Sequence, residues 1–191
     1  MTEPIGGTVA FDVIGTLFSL DRVRDAFRDA GAPEGALESW FAASLRDYFA
    51  VSHSGAYVPM REVLAEGLDE PLRAPVMSAM AELPAAPGAV EACALLADSG
   101  WRLLTLTNSS EDMTKALLEG AGLTDRFHAI LSCDSIGISK PHPDVYALAS
   151  GRASGPLWMV ASHIWDIGGA ARAGLRTAWL QHEGVVWPGY L

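Results

Sequence analysis

The sequence predicts an α/β protein: a parallel sheet with helices on both faces, carrying a small all-helical insertion after its first strand. Three observations predict it. Residues 8–14, "TVAFDVI", form a short run of β-formers near the start of the chain. Residues 19–85 then read as helical throughout. From "PAAPG" at residues 84–88 onward the pattern alternates helix and strand. Alternation at that length requires crossover connections, and crossovers build parallel sheets.

In chain order, "LDRVRDAFRDAG" is a helix closed by a glycine signal at Gly31. "ALESWFAASLRDYFAV" repeats Leu37, Trp40, Phe41, Leu45 and Phe49 at helical spacing. "PMREVLAEGL" and "APVMSAMAEL" are two shorter helices. The remaining elements are helix 88–99, strand 101–107, helix 110–120, strand 127–132, helix 143–150, strand 157–162, helix 164–173 and strand 175–180. The expected division is a core of residues 1–18 and 86–191, with residues 19–85 as a helical cap.

Composition narrows the function. The 191 residues carry a formal net charge of −10, which argues against nucleic acid or an anionic membrane as partner. No apolar run approaches the roughly 18 residues of a membrane span. The start, "MTEPIGG", lacks the basic and apolar regions of a signal peptide. Cys93 and Cys133 lie far apart and read as reduced structural thiols, so the expected compartment is the cytoplasm. The histidines and cysteines show no zinc-ligand spacing. A small anionic substrate therefore needs a local positive site, and the chain has only two lysines, Lys115 and Lys140.

Ligands of open α/β sheets bind beyond the carboxyl ends of the strands. Four segments converge there. "FDVIGTLFS" places Asp12 at the end of the first strand, either as a turn residue or as a carboxylate nucleophile. "LLTLTNSS" places Thr107 and Asn108 at the crevice, with Ser109 or Ser110 available to cap the next helix. "SKPHPDVYALA" carries Lys140, whose ammonium suits holding Asp12 ionised and stabilising negative charge, and Pro143 suits a first helical turn. "MVASHIWDIGGAARAGL" sets His163 and Asp166 three apart at a helix start. They fit a cap and a dipole partner, or a pair that activates a water.

Together these four segments resemble the haloacid dehalogenase superfamily over essentially the whole chain. The resemblance implies a Rossmann-like core and Asp12 as nucleophile of a covalent aspartyl intermediate. Phosphatases of that superfamily usually carry a second aspartate two residues after the nucleophile, where this chain has Ile14. They also read Gly-Asp-x-x-x-Asp in the last motif, where this chain reads Ala161-Ser162-His163-Ile164-Trp165-Asp166. The 2-haloacid dehalogenase (type II) branch is the better match. It typically has an apolar or aromatic residue at the Ile14 position. Its last motif is similar to "ASHIWD", and its Lys-Pro-x-x-x-Val-Tyr motif is matched by Lys140, Pro141, Val145 and Tyr146.

That branch implies a metal-independent hydrolase, with no cofactor, acting on a short 2-haloacid; homodimers are common in it. The catalytic set is then Asp12, Thr16, Thr107, Asn108, Lys140 and Asp166. The substrate-binding set is Ile14, Phe41, Arg46, Tyr146, Ser162, His163 and Trp165. The branch's cap-helix arginine falls near Phe41 in this chain, and Arg46, Arg22 or Arg24 are its substitutes. His163, in place of an asparagine, is expected to help Asp166 activate the hydrolytic water. The alternatives are a phosphohydrolase with a reduced magnesium site, and a non-catalytic binding protein on the same fold.

Overall fold

The structure, a computed structural model, describes residues 6–190. Residues 1–5 and 191, the outer ends of the expected core, lie outside the described residues, and most of the "MTEPIGG" start lies there too. Five strands, β1 (Thr8–Phe11), β2 (Arg102–Thr107), β3 (Phe127–Ser132), β4 (Leu157–Ala161) and β5 (Arg176–Trp179), form one sheet in the order β3-β2-β1-β4-β5. All neighbours are parallel. The first strand in chain order is thus the central one. In register, Phe11 lies beside Thr105 on one flank and Val160 on the other, so Asp12 emerges between the ends of β2 and β4.

Strand alternation sorts the core into two layers. Val9, Phe11 and Leu103 point to one face, packed with Cys93 of α5 (Ala89–Asp98) and Leu117 and Leu118 of α6 (Glu111–Gly120). Ala10, Leu104, Leu106, Met159 and Ala161 point to the other, packed with Val145 and Tyr146 of α7 (Pro143–Ser150) and Ile167 and Ala170 of α8 (Ile164–Arg172).

Between β1 and β2 the chain makes α1 (Asp21–Asp29), α2 (Ala36–His53), α3 (Met60–Glu66) and α4 (Glu70–Met80). The insertion leaves and re-enters through a paired stem. Ser19 N–H donates to the Pro84 carbonyl, and Ala86 N–H donates to the Leu17 carbonyl, both at 2.8 Å. At its other end, Tyr57 O–H donates to Asp134, and Ser139 N–H donates to Ser52 Oγ at 3.0 Å.

Two elements differ from expectation by more than two residues. β1 stops at Phe11 rather than residue 14, because the chain curls at Val13, whose carbonyl accepts from the N–H groups of Leu17 and Phe18. α4 starts at Glu70, so Pro75 sits inside the helix rather than at its start. Packing of the buried Val76, Ala79 and Met80 outweighs the one backbone bond that Pro75 omits. Among the described residues no helix is long and apolar enough to cross a membrane.

Leu106 is completely buried in the centre of the sheet, whereas Leu95 is 70% exposed on α5. Leu106→Ala is expected to lower unfolding free energy by about 2–5 kcal/mol, and Leu95→Ala by less than about 0.5 kcal/mol, in equilibrium denaturation. Equal effects would contradict this layering.

Candidate active site

The turn after β1 presents Asp12. Gly15 within it has φ +77°, and a Cβ there would stand 3.0 Å from the His163 ring, so glycine serves both the turn and the approach of His163. Thr16 ties the turn together: its hydroxyl donates to Asp12 Oδ2 at 2.8 Å and accepts from Ser162 N–H at 3.0 Å.

Lys140 enters from the loop before α7, across a cis Lys140–Pro141 bond. Its side chain is entirely buried, and Nζ donates to Asp12 Oδ1 at 3.1 Å and to Asp166 Oδ2 at 2.7 Å. Tyr146 O–H donates to Asp166 Oδ1 at 2.8 Å. Gly169 lets α8 pack this closely, since a Cβ there would lie 2.5 Å from the Tyr146 hydroxyl. Burial pushes the Asp12 carboxyl up, but Lys140 and the hydrogen bonds from His163 and Thr16 more than offset it and hold it well below the usual carboxylate range. Asp166 is held above its ordinary value, by burial first and by the charge of Asp12, with Lys140 offsetting only part. Burial alone disfavours the Lys140 ammonium, yet the two carboxylates keep it protonated more firmly than a free lysine.

His163 is the cap residue of α8, and its Nδ1 lies 2.9 Å from Asp12 Oδ2. Its ring stacks on Trp165 at 5.1 Å between centroids and faces Phe41 at 6.2 Å. This corrects the expected pairing of His163 with Asp166. The cap backbone is extended, at φ −79° and ψ 119°, so the ring leaves the helix face and reaches the β1 turn.

On the β2 side, Thr107 Oγ1 accepts from Ser109 N–H at 3.0 Å, and Ser110 caps α6 by accepting from Met113 N–H. Asn108 Oδ1 accepts from Lys140 N–H and from the Cys133 thiol, both at 3.0 Å. Burial pushes that thiol up to about 12, which keeps its proton in place for the bond. The sequence reading passed over this role of Cys133; its place directly after β3 is the signal that points to it. Ser162 is held through its backbone, its carbonyl accepting from Trp179 Nε1–H at 3.0 Å.

Asp12, Ile14, Thr107, Asn108, His163 and Trp165 line a cavity of about 20 Å³, roofed from the insertion by Phe41, Leu45 and Met60. Three expected substrate contacts fall elsewhere: Ser162, whose backbone N–H and carbonyl are taken by Thr16 and Trp179 and which is not among the cavity walls, Arg46 and Tyr146. Arg46 is exposed and pairs with Asp47, because it follows Leu45 by one residue and so turns about 100° away from the face that Phe41 and Leu45 share. Arg22 and Arg24 likewise pair outward, with Glu82 and Glu38. Tyr146 is fully buried behind Asp166, where it touches the carboxylate and not the cavity.

The donor set does not fit magnesium, which wants several hard oxygen ligands. The two carboxylates are already bridged by an ammonium, and the neighbouring position is Ile14. Among the described residues no group of three histidine, cysteine or acidic side chains converges to hold a metal.

The chain is similar to several known proteins. A family profile described as haloacid dehalogenase-like hydrolase matches residues 7–174. The chain is 34% identical to the (S)-2-haloacid dehalogenase of Xanthobacter autotrophicus over 186 residues, covering 89% of this chain and 73% of that protein. It is 29% identical to (S)-2-haloacid dehalogenase 1 of Pseudomonas sp. (strain CBS-3), covering 92% of this chain and 84% of that one. The structure of the L-2-haloacid dehalogenase from Xanthobacter autotrophicus with chloropropionic acid covalently bound superposes with a TM-score of 0.80 at 31% identity, over 91% of this chain and 76% of that one. With a central parallel sheet, a helical insertion after β1 and a carboxylate bonded to a buried lysine at the strand ends, the chain belongs to the haloacid dehalogenase-like hydrolase family.

Proposed function

We propose that this hydrolase is a metal-independent 2-haloacid dehalogenase. The observation that carries the reading is the Asp12 carboxyl group, bonded to the buried Lys140 and set against the apolar walls Ile14 and Phe41. Lys140 and the hydrogen bonds from His163 and Thr16 outweigh burial and favour the anionic form of Asp12. An apolar wall excludes water from it and accommodates a carbon–halogen bond. The chemistry of the named relatives, of which one was captured with chloropropionic acid attached, supports the same reading.

In this mechanism Asp12 Oδ1 attacks the α-carbon and halide leaves with the bonding pair. Oδ2 becomes the ester carbonyl oxygen. It keeps the Thr16 hydroxyl and the His163 N–H, two donors aimed where negative charge grows when water adds to the Asp12 carbonyl carbon. Asp166, whose hold on a proton is strengthened by burial, accepts the proton of that water. Collapse of the adduct breaks the bond to Oδ1, and the 2-hydroxy acid takes its proton from Asp166. Lys140 holds both carboxylates in place throughout. Residues 19–85 act as the cap: Phe41, Leu45 and Met60 close the cavity, whose volume holds about one water, so a substrate enters only when the insertion lifts. The two buried, unpaired thiols suit a cytoplasmic protein.

Incubation with short 2-haloacids is expected to release halide at a rate unaffected by a chelator, and Asp12→Asn is expected to lower that rate by at least about a thousandfold. Chelator-sensitive hydrolysis of a phosphate ester, with no halide release, would favour the phosphohydrolase instead. Silence with both substrate types would favour a binding protein. His163→Ala is expected to slow ester hydrolysis about ten- to a thousandfold while alkylation of Asp12 proceeds, so the ester accumulates and is visible by intact-protein mass spectrometry. Unaltered steady-state turnover in that variant would remove His163 from the mechanism.

A further inference from the structure

A second cavity, of about 420 Å³, lies between the insertion and the core. It shares two walls with the catalytic cavity, Met60 and Ser109. Its lining is dominated by thioethers and one leucine: Met60 and Leu64 of α3, Met77 and Met80 of α4, and Met113 of α6. Its charged members, Arg61 and Asp112, are exposed, so the charge sits at the outer margin and the apolar groups inside. The volume is in the range of small-molecule sites, roughly 300–1,000 Å³. The catalytic cavity is about 20 Å³, too small for anything but the reacting centre.

We infer that the larger cavity is a side-chain subsite, and that the substrates are 2-haloacids with an extended apolar group on the α-carbon. The inference rests on the dehalogenase reading above. An α-carbon held against Asp12 places its reacting bond at the small cavity, which widens when the insertion lifts to admit the acid, and directs its remaining substituent past Met60 and Ser109. Met60 is 5% exposed and unbranched, with rotatable bonds that let this shared wall yield to a chain. Methionines on three helices adapt to tails of differing shape, which suits a series of aliphatic or aryl substituents better than a single one.

The test uses the full chain and measures halide release from chloroacetate, 2-chloropropionate, 2-chlorobutyrate, 2-chlorohexanoate and 2-chloro-3-phenylpropionate. The subsite predicts that kcat/KM rises along the aliphatic series by about fourfold per added methylene, since each buries apolar surface. Met77→Trp and Met113→Trp fill the cavity from opposite walls, and either variant that retains a cooperative thermal transition is expected to flatten the series. A flat or falling series in the unaltered protein, with chloroacetate turned over well, overturns the subsite and leaves the dehalogenase reading intact. A rising series that both folded variants preserve overturns it as well. No halide from any of the acids overturns the dehalogenase reading and the subsite with it.

Discussion

The Lys140 ammonium stands between the carboxylates of Asp12 and Asp166, and all three groups are buried. Removing charges from water costs several kcal/mol each, so such a cluster persists only where every charge is partnered. Here the partners come from separate pieces of chain: the β1 turn, the loop before α7 and the first turn of α8. Tyr146 adds a donor from α7, and Gly169 lets α8 approach. The charged cluster therefore joins three strand-end segments, and under the proposed mechanism the same charges tune the reactivity of Asp12.

The trio still carries one surplus negative charge, which explains why Asp12 and Asp166 diverge. Asp12 collects Lys140, Thr16 and His163 and remains a carboxylate. Asp166 shares the same ammonium, is wholly buried and holds a proton more readily. Two acids forced apart in this way suit two roles, a nucleophile and a proton acceptor. Ile14 sharpens the division, since an aspartate there would have shuttled protons beside Asp12, whereas the isoleucine lines the cavity.

Much of this was legible in the sequence because it depends on period and position. Helix–strand alternation from Gly88 onward and the lone early strand imply the parallel sheet, and strand ends locate Asp12, Thr107 and Lys140. What escaped depends on local geometry that spacing does not encode. The interval of three between His163 and Asp166 left a cap and a water-activating pair both open; His163 is the cap, with extended backbone, and what spacing did not display is that its ring turns to Asp12. Arg46 sits on the insertion helix that roofs the site, but one residue beyond Leu45 is a different face. Tyr146 matches the motif and meets the active site from behind, through Asp166. The long-range bond from Cys133 to Asn108, and the extension of α4 across Pro75, follow from packing that no local pattern displays.

The central claim is that oxygen reaches the product through Asp12 and not directly from water. A single turnover of a 2-haloacid in water enriched in oxygen-18, with enzyme in excess, tests it. The account predicts label in the Asp12 carboxylate, found in the peptide that contains it, and none in the hydroxy acid. Label in the hydroxy acid, with Asp12 unlabelled, would mean that water attacks the α-carbon itself and that Asp12 is only its base, which contradicts the account.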